Sequence, residues 1–211
     1  MSLTAPLLLL SILLLSACSS TPSTVQLSPQ LTPTNMTQQV KGDHSWLLSS
    51  QDMRTERYLI AISSGNDVAT LINESSSSRA IIEKTLQTHW LKQGLTFSNR
   101  STSTSNNGSA NSDNSTSRNT ESYHIDIQLI KLLAQVEQSA INHESDINVI
   151  IKIQLRSDTR TFSKTFRSHY QEKALFSANT VTLAEQLNTQ LSQLLDQIVQ
   201  DPELNAKLLK L

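Results

Sequence analysis

Apolar and polar residues alternate with a period of two through "YHIDIQL", "DINVIIKIQLRS" and "TFSKTFRSHYQ". In the first run Tyr123, Ile125, Ile127 and Leu129 point one way and His124, Asp126 and Gln128 the other, as successive side chains of a β-strand do. The second places Ile147, Val149, Ile151, Ile153 and Leu155 on one face, opposite Asn148, Ile150, Lys152 and Gln154. Phe162, Phe166 and Tyr170 share one register in the third. Polar turns near residues 142–144 and 157–159 join the three into an antiparallel meander, one face buried and the other partly wet. Upstream, "SWLLSS", "RYLIAISS" and "NDVATLINE" predict three shorter strands, the last two joined by a hairpin turn at Ser64-Gly65-Asn66-Asp67.

Two segments carry a helical period instead. In "SSSSRAIIEKTLQTHWLKQG", Ser76 to Ser78 offer N-caps and Gly94 stands where a helix stops. Ala80, Ile82, Leu86 and Trp90 supply its apolar side. A short strand, "LTFS", follows. From about Thr182 to Gln200, Leu183, Leu187, Leu191, Leu194 or Leu195, and Ile198 form a stripe able to lie on a sheet. Asp201-Pro202-Glu203 then reads as N-cap, first-turn proline and acidic first turn of a short terminal helix. This order of elements predicts an α+β fold: an antiparallel or mixed β-sheet with two amphipathic helices packed on one face, preceded by a disordered tether.

Two stretches lack any period. Ser19 to Gly42 has three prolines and little charge, the composition of a tether, although Val25 and Leu27 could add an edge strand. Asn99 to Thr120 is almost wholly Ser, Thr and Asn and reads as a disordered insertion, which a fold tolerates because loop length costs stability only logarithmically. The chain therefore divides into an apolar leader at 1–17, a flexible tether that begins at Cys18 and runs over 18–44, and one α+β domain at 45–211 interrupted at 99–120.

Cys18 is the one cysteine, so no internal disulfide can form. The apolar run ahead of it, "TAPLLLLSILLLSA", is too short to span a bilayer and has the length of a signal-peptide core. Leu15, Ser16, Ala17 and Cys18 resemble the lipobox of bacterial lipoproteins. That resemblance implies a diacylglycerol on the Cys18 thiol, cleavage just before Cys18 and acylation, such as palmitate, of the new amine. Ser19 in place of Asp implies sorting to the outer membrane. The n-region "MSLT" departs from the pattern by carrying no Lys or Arg, and an ordinary cleaved signal is the competing reading. Attachment through two or three chains is effectively permanent. The expected location is the cell envelope, at the inner leaflet of the outer membrane and facing the periplasm.

The chain as a whole resembles the YajG-type family of bacterial outer-membrane lipoproteins. The resemblance is carried by the lipobox, "QLSPQLTP", "MRTERYLIAI", "WLKQGLTFS", "SKTFRSHYQEKALFSAN" and "QDPEL". The insertion at 99–120 departs from it. What the resemblance implies is envelope location and fold, not a mechanism.

Net charge is −1 and only four glycines are present, which speaks against nucleic-acid binding and Gly-rich phosphate cradles. His44, His89, His124, His143 and His169 lack metal-site spacing, so no metal and no cofactor is expected, though His124 and His169 could meet if their strands paired. Asp126, Glu144 and Asp146 are the candidate paired carboxylates, and no G-x-S-x-G elbow is present. Asp52 and Arg54 read as a structural ion pair fixing a turn before they read as a ligand site. Arg160, Lys164, Arg167 and Tyr170 make a weak candidate binding face. The expected function is a binding or scaffolding module rather than an enzyme. Its partners would be membrane lipid through Cys18 and another envelope protein or peptidoglycan. An enzyme acting on an envelope polymer is the alternative.

Overall fold

A computed structural model describes residues 24–33, 44–98 and 123–210. Cys18, the rest of the lipobox, Ser19 and the insertion at 99–120 lie outside the described residues. Among the described residues the strands are β1 (Thr24–Val25), β2 (Ser45–Asp52), β3 (Tyr58–Ser64), β4 (Thr70–Glu74), β5 (Thr96–Phe97), β6 (Tyr123–Gln138), β7 (Asn142–Arg156) and β8 (Thr161–Leu175). The helices are α1 (Ser78–Lys92), α2 (Thr180–Gln200) and α3 (Pro202–Lys210). The fold is α+β, a mixed sheet with its helices on one face, as the order of elements predicts.

The strand β6 organises the sheet. Along one edge it pairs antiparallel with β7, which pairs in turn with β8, giving the meander. Its other edge is shared by two strands placed end to end, both parallel to it. The first, β2, covers Tyr123 to Leu129, and β3 covers Ala134 to Gln138. Where β2 gives way to β3, the register of β6 shifts between Leu129 and Lys131, and the Met53 amide donates to the Leu129 carbonyl at 2.8 Å. An extra residue in a strand reverses which parity faces inward. The core cluster accordingly takes Tyr123, Ile125, Ile127 and Leu129, then Leu132, Ala134 and Val136, and leaves out the buried Leu133.

The antiparallel partner of β3 is β4, joined to it through a turn in which Gly65 has φ +53° and the Asp67 amide donates to the Ser64 carbonyl. Two short strands complete the edges: β5 lies parallel to β2, and β1 lies parallel to β4.

The Ser77 hydroxyl caps α1 by accepting from the Ala80 amide, and Gly94 follows the helix with φ +98°. The helix buries Ser78, Ile82, Leu86, His89 and Trp90, while Ala80 faces solvent. Helix α2 buries the stripe Leu183, Leu187, Leu191, Leu194, Leu195 and Ile198 against β6, β7 and β8. Burying one such leucine contributes about 1.5–3 kcal/mol. Asp201 caps α3, its carboxylate accepting from the Leu204 amide at 2.8 Å, with Pro202 in the first turn.

Two features lie outside the regular pattern. Residues 26–33, within the stretch read as a tether, form an extended strap over α2. The amides of Ser28, Gln30 and Thr32 donate to Asn188 Oδ1, Ser192 Oγ and Asp196 Oδ1 at 2.8, 3.1 and 2.9 Å. Alternate extended residues advance about 6.8 Å and four helical residues about 6 Å, so the two periods nearly match. Leu27, just before these contacts, and Pro29, between the first two, are buried. The second feature is Phe176, a non-glycine residue at φ +69° with its side chain 76% exposed. A left-handed conformation costs a bulky L-residue about 1–2 kcal/mol.

Candidate functional site

The strap and α1 face each other across a groove of about 520 Å³. Pro29, Leu31 and Pro33 form one wall; Lys84, His89 and Lys92 belong to the helix wall. The prolines favour an extended backbone by fixing φ. His89 is buried at 7% exposure on the apolar stripe of α1, and its Nε2 atom finds no hydrogen-bond partner among the described residues. Burial, reinforced by the Lys92 ammonium and opposed by Asp196, pushes the His89 pKa below the usual imidazole value. A neutral imidazole with a free ring nitrogen can donate or accept one hydrogen bond according to its tautomer. Two lysines beside apolar side chains suit a ligand carrying both a carboxylate and apolar groups.

Asp52 and Arg54 form the structural pair expected of them, at the break between β2 and β3. Arg54 Nε and Nη2 donate to the two Asp52 carboxylate oxygens at 3.0 and 2.8 Å, and Nη2 reaches Glu74 at 3.2 Å. The Arg54 side chain is 1% exposed. Glu74 also accepts from the Ser78 amide at 2.9 Å, so one guanidinium ties the end of β2 to the end of β4 and the start of α1. The Arg54 hydrogen bonds hold the Asp52 carboxyl below its ordinary range against burial, and Arg57 pairs with Asp52 at 2.8 Å.

The remaining candidates are dispersed. Lys164 lies on the helix side of β8 and reaches Asp201 at 2.9 Å and Glu203 at 2.8 Å, across the start of α3. Tyr170 has the same parity and donates to Glu172 at 3.2 Å. Arg167 has the opposite parity, and Arg160 sits in the β7–β8 turn, so the four share no face. A strand puts every second residue on the other side, which the spacing of 164 and 167 already required. His124 and His169 do not meet, because β7 separates their strands; His124 is registered with Arg156 and His169 with Asn148.

Nor do the three carboxylates converge. Asp126 pairs with Ser49 and Arg156. Glu144 and Asp146 lie on the outer face toward the opposite end of β7. Burial opposes ionisation of Asp146, but hydrogen bonds from Gln171 at 2.8 Å and His169 at 3.3 Å outweigh it and leave its carboxyl below the usual range.

A family model described as "Uncharacterized lipoprotein" matches residues 29–106 and 117–209. The chain belongs to this lipoprotein family. Membership implies lipid anchoring at a membrane of the cell envelope, and among the described residues no helix is long and apolar enough to cross one. No curated protein matches the chain. Among solved structures, protein XCC0632 from Xanthomonas campestris, of family DUF330, is 13% identical with TM-score 0.55. The match covers 87% of this lipoprotein and 96% of that chain. A second structure, of an uncharacterized protein, is 9% identical with TM-score 0.46, covering 86% of this chain and 99% of its own. The first of these likenesses is one of fold alone.

The groove was hidden from sequence reasoning because its walls come from residues 29–33 and 84–92. The one local signal was His89, three residues after Leu86 and beside Trp90, a polar group on an apolar stripe.

Proposed function

We propose that this lipoprotein is a YajG-type envelope protein, acylated at Cys18 and held at the periplasmic face of the outer membrane. There it acts as a binding or scaffolding module rather than an enzyme. The observation that supports a binding role is the groove itself, where Lys84 and Lys92 stand on the helix wall opposite the apolar strap of Pro29, Leu31 and Pro33. This chemistry suits an extended, acidic and partly apolar peptide, as a second envelope protein or the stem peptides of peptidoglycan could present.

The test is in-cell photo-cross-linking from Thr88, on the helix wall of the groove. A discrete adduct, protein or peptidoglycan, that is lost in a Lys84→Glu/Lys92→Glu variant supports the reading and separates the two sources by mass. The absence of any adduct in cells where the acylated protein is present would overturn it. A Cys18→Ser chain that still fractionates with the outer membrane would overturn the anchoring.

A further inference from the structure

One end of the sheet presents large apolar side chains to solvent. Ile141 in the β6–β7 turn, Leu175 at the end of β8 and Phe176 just beyond are 72%, 71% and 76% exposed. They are neighbours: the Phe176 amide donates to the Ile141 carbonyl at 2.9 Å, and Leu175 is registered with Asn142. Val181, in the first turn of α2, and Val68, in the β3–β4 turn, are exposed at the same end. Phe176 holds its left-handed conformation with little packing in return, and His143 Nδ1 contacts its carbonyl oxygen at 2.9 Å. Such strain points to a use for the exposed ring.

The occupant follows from where the chain enters. Thr24 pairs in parallel with Asn73, so the N-terminal side of β1 faces the Thr70 end of β4, the end that carries the apolar rim. Neighbouring Ile72 is aligned through the ladders with Ile60, Ala134 and Ile147. From the level of Thr24 and Asn73, one residue beyond Ile72, the rim at Asn142 is about 20 Å away, and Arg156 at the opposite end is about 27 Å away in the reverse direction. Only six residues lead from Cys18 to Thr24, with a reach of at most about 20 Å. Extended toward the rim, six residues would bring Cys18 level with it, whereas the opposite end lies beyond their reach. Acyl chains on Cys18 would therefore place the bilayer surface at this end of the sheet.

We infer that Val68, Ile141, Leu175, Phe176 and Val181 form a membrane-contact rim that enters the lipid interface and sets the domain's orientation on the bilayer. This inference rests on acylation of Cys18. Asp67, Glu137, Glu144 and Lys173 behind the rim are of mixed sign, so apolar insertion rather than charge provides the attachment.

The test uses the full acylated chain in phosphatidylethanolamine-rich vesicles, with the modification of Cys18 verified by mass spectrometry. Because that thiol is consumed, an introduced cysteine is the sole reactive one. An environment-sensitive fluorophore is placed at Ala140→Cys or Ser177→Cys beside the rim, and at Thr159→Cys in the β7–β8 turn. The expected result is quenching by a lipid-borne quencher several-fold stronger at the two rim positions than at residue 159. It falls to the level at residue 159 in an Ile141→Asp/Phe176→Asp background that remains acylated and vesicle-bound. Equal quenching at both ends, or rim labels that report on one another as in a dimer, would overturn the inference. An unmodified Cys18 would overturn the anchoring it rests on, and the mass measurement tells these failures apart.

Discussion

Replacing Arg54 by methionine keeps the volume of the buried stem and removes the charge that joins β2, β4 and α1. Breaking a buried ion pair by deleting one partner costs about 3–5 kcal/mol, because the other partner is left desolvated. Here the stranded carboxylates are only partly buried: Asp52 is 16% exposed and Glu74 24%. Arg57 also remains beside Asp52 at 2.8 Å, so the lower end, about 3 kcal/mol, is expected. For a domain of this size that corresponds to a fall in Tm of roughly 6–12 °C. Urea unfolding followed by the fluorescence of Trp46 and Trp90, both buried, would measure it directly.

The pH dependence gives an independent check on the same pair. Folding lowers the Asp52 pKa, so its contribution is fully present above the unfolded carboxylate value, about 3.9, and is lost as pH falls through the lower folded value. The gap between wild type and Arg54→Met should therefore narrow in that acidic window. Adding Asp52→Leu should cost less than the sum of the two single changes, since the charge is then removed with its partner. A loss below about 1 kcal/mol for Arg54→Met, the range of a surface pair, together with strict additivity would refute this account.

His89 should make stability pH-dependent in a second window. With its folded pKa below the unfolded value, stability is full above about 6.5 and declines as pH drops toward the folded value; His89→Gln should flatten that decline in urea titrations. Phe176→Asn relieves the left-handed strain and should raise stability by about 0.5–1 kcal/mol in the same assay, while weakening any contact with lipid. Asp196→Ala removes the acceptor for the Thr32 amide and hydroxyl, and should speed amide exchange at Gln30 and Thr32 with a loss of about 1 kcal/mol.

The meander and the second helix were legible because their periods run unbroken: the stripe from Leu183 to Ile198 and the odd-numbered face of β7 are buried as read. The C-terminal half of β6 was not. The bulge after Leu129 changes the inward parity, so "KLLAQVEQ" shows no continuous alternation with the residues before it. Pairing order was likewise invisible, since nothing local indicates that β2 and β3 lie end to end along one neighbour. The strap was legible only as the edge-strand option at Val25 and Leu27, because its hydrogen-bond acceptors stand about 160 residues away on α2. The groove was concealed because its two walls, at residues 29–33 and 84–92, are themselves distant in sequence. The basic face failed on parity, and the Asp52–Arg54 pair succeeded because both partners are local.

The strap also has a mechanical meaning. Ser28, Gln30 and Thr32 bond to Asn188, Ser192 and Asp196 in ascending order, so the strap runs parallel to the helix axis. Tension arriving from an N-terminal lipid would be directed along that line. It would load the amide contacts together in shear, with the buried Leu27 and Pro29 beside them, instead of peeling them apart singly. A domain fastened in this way passes force from its anchor into its longest helix, and membrane attachment and the sheet–helix core then resist a pull as one body.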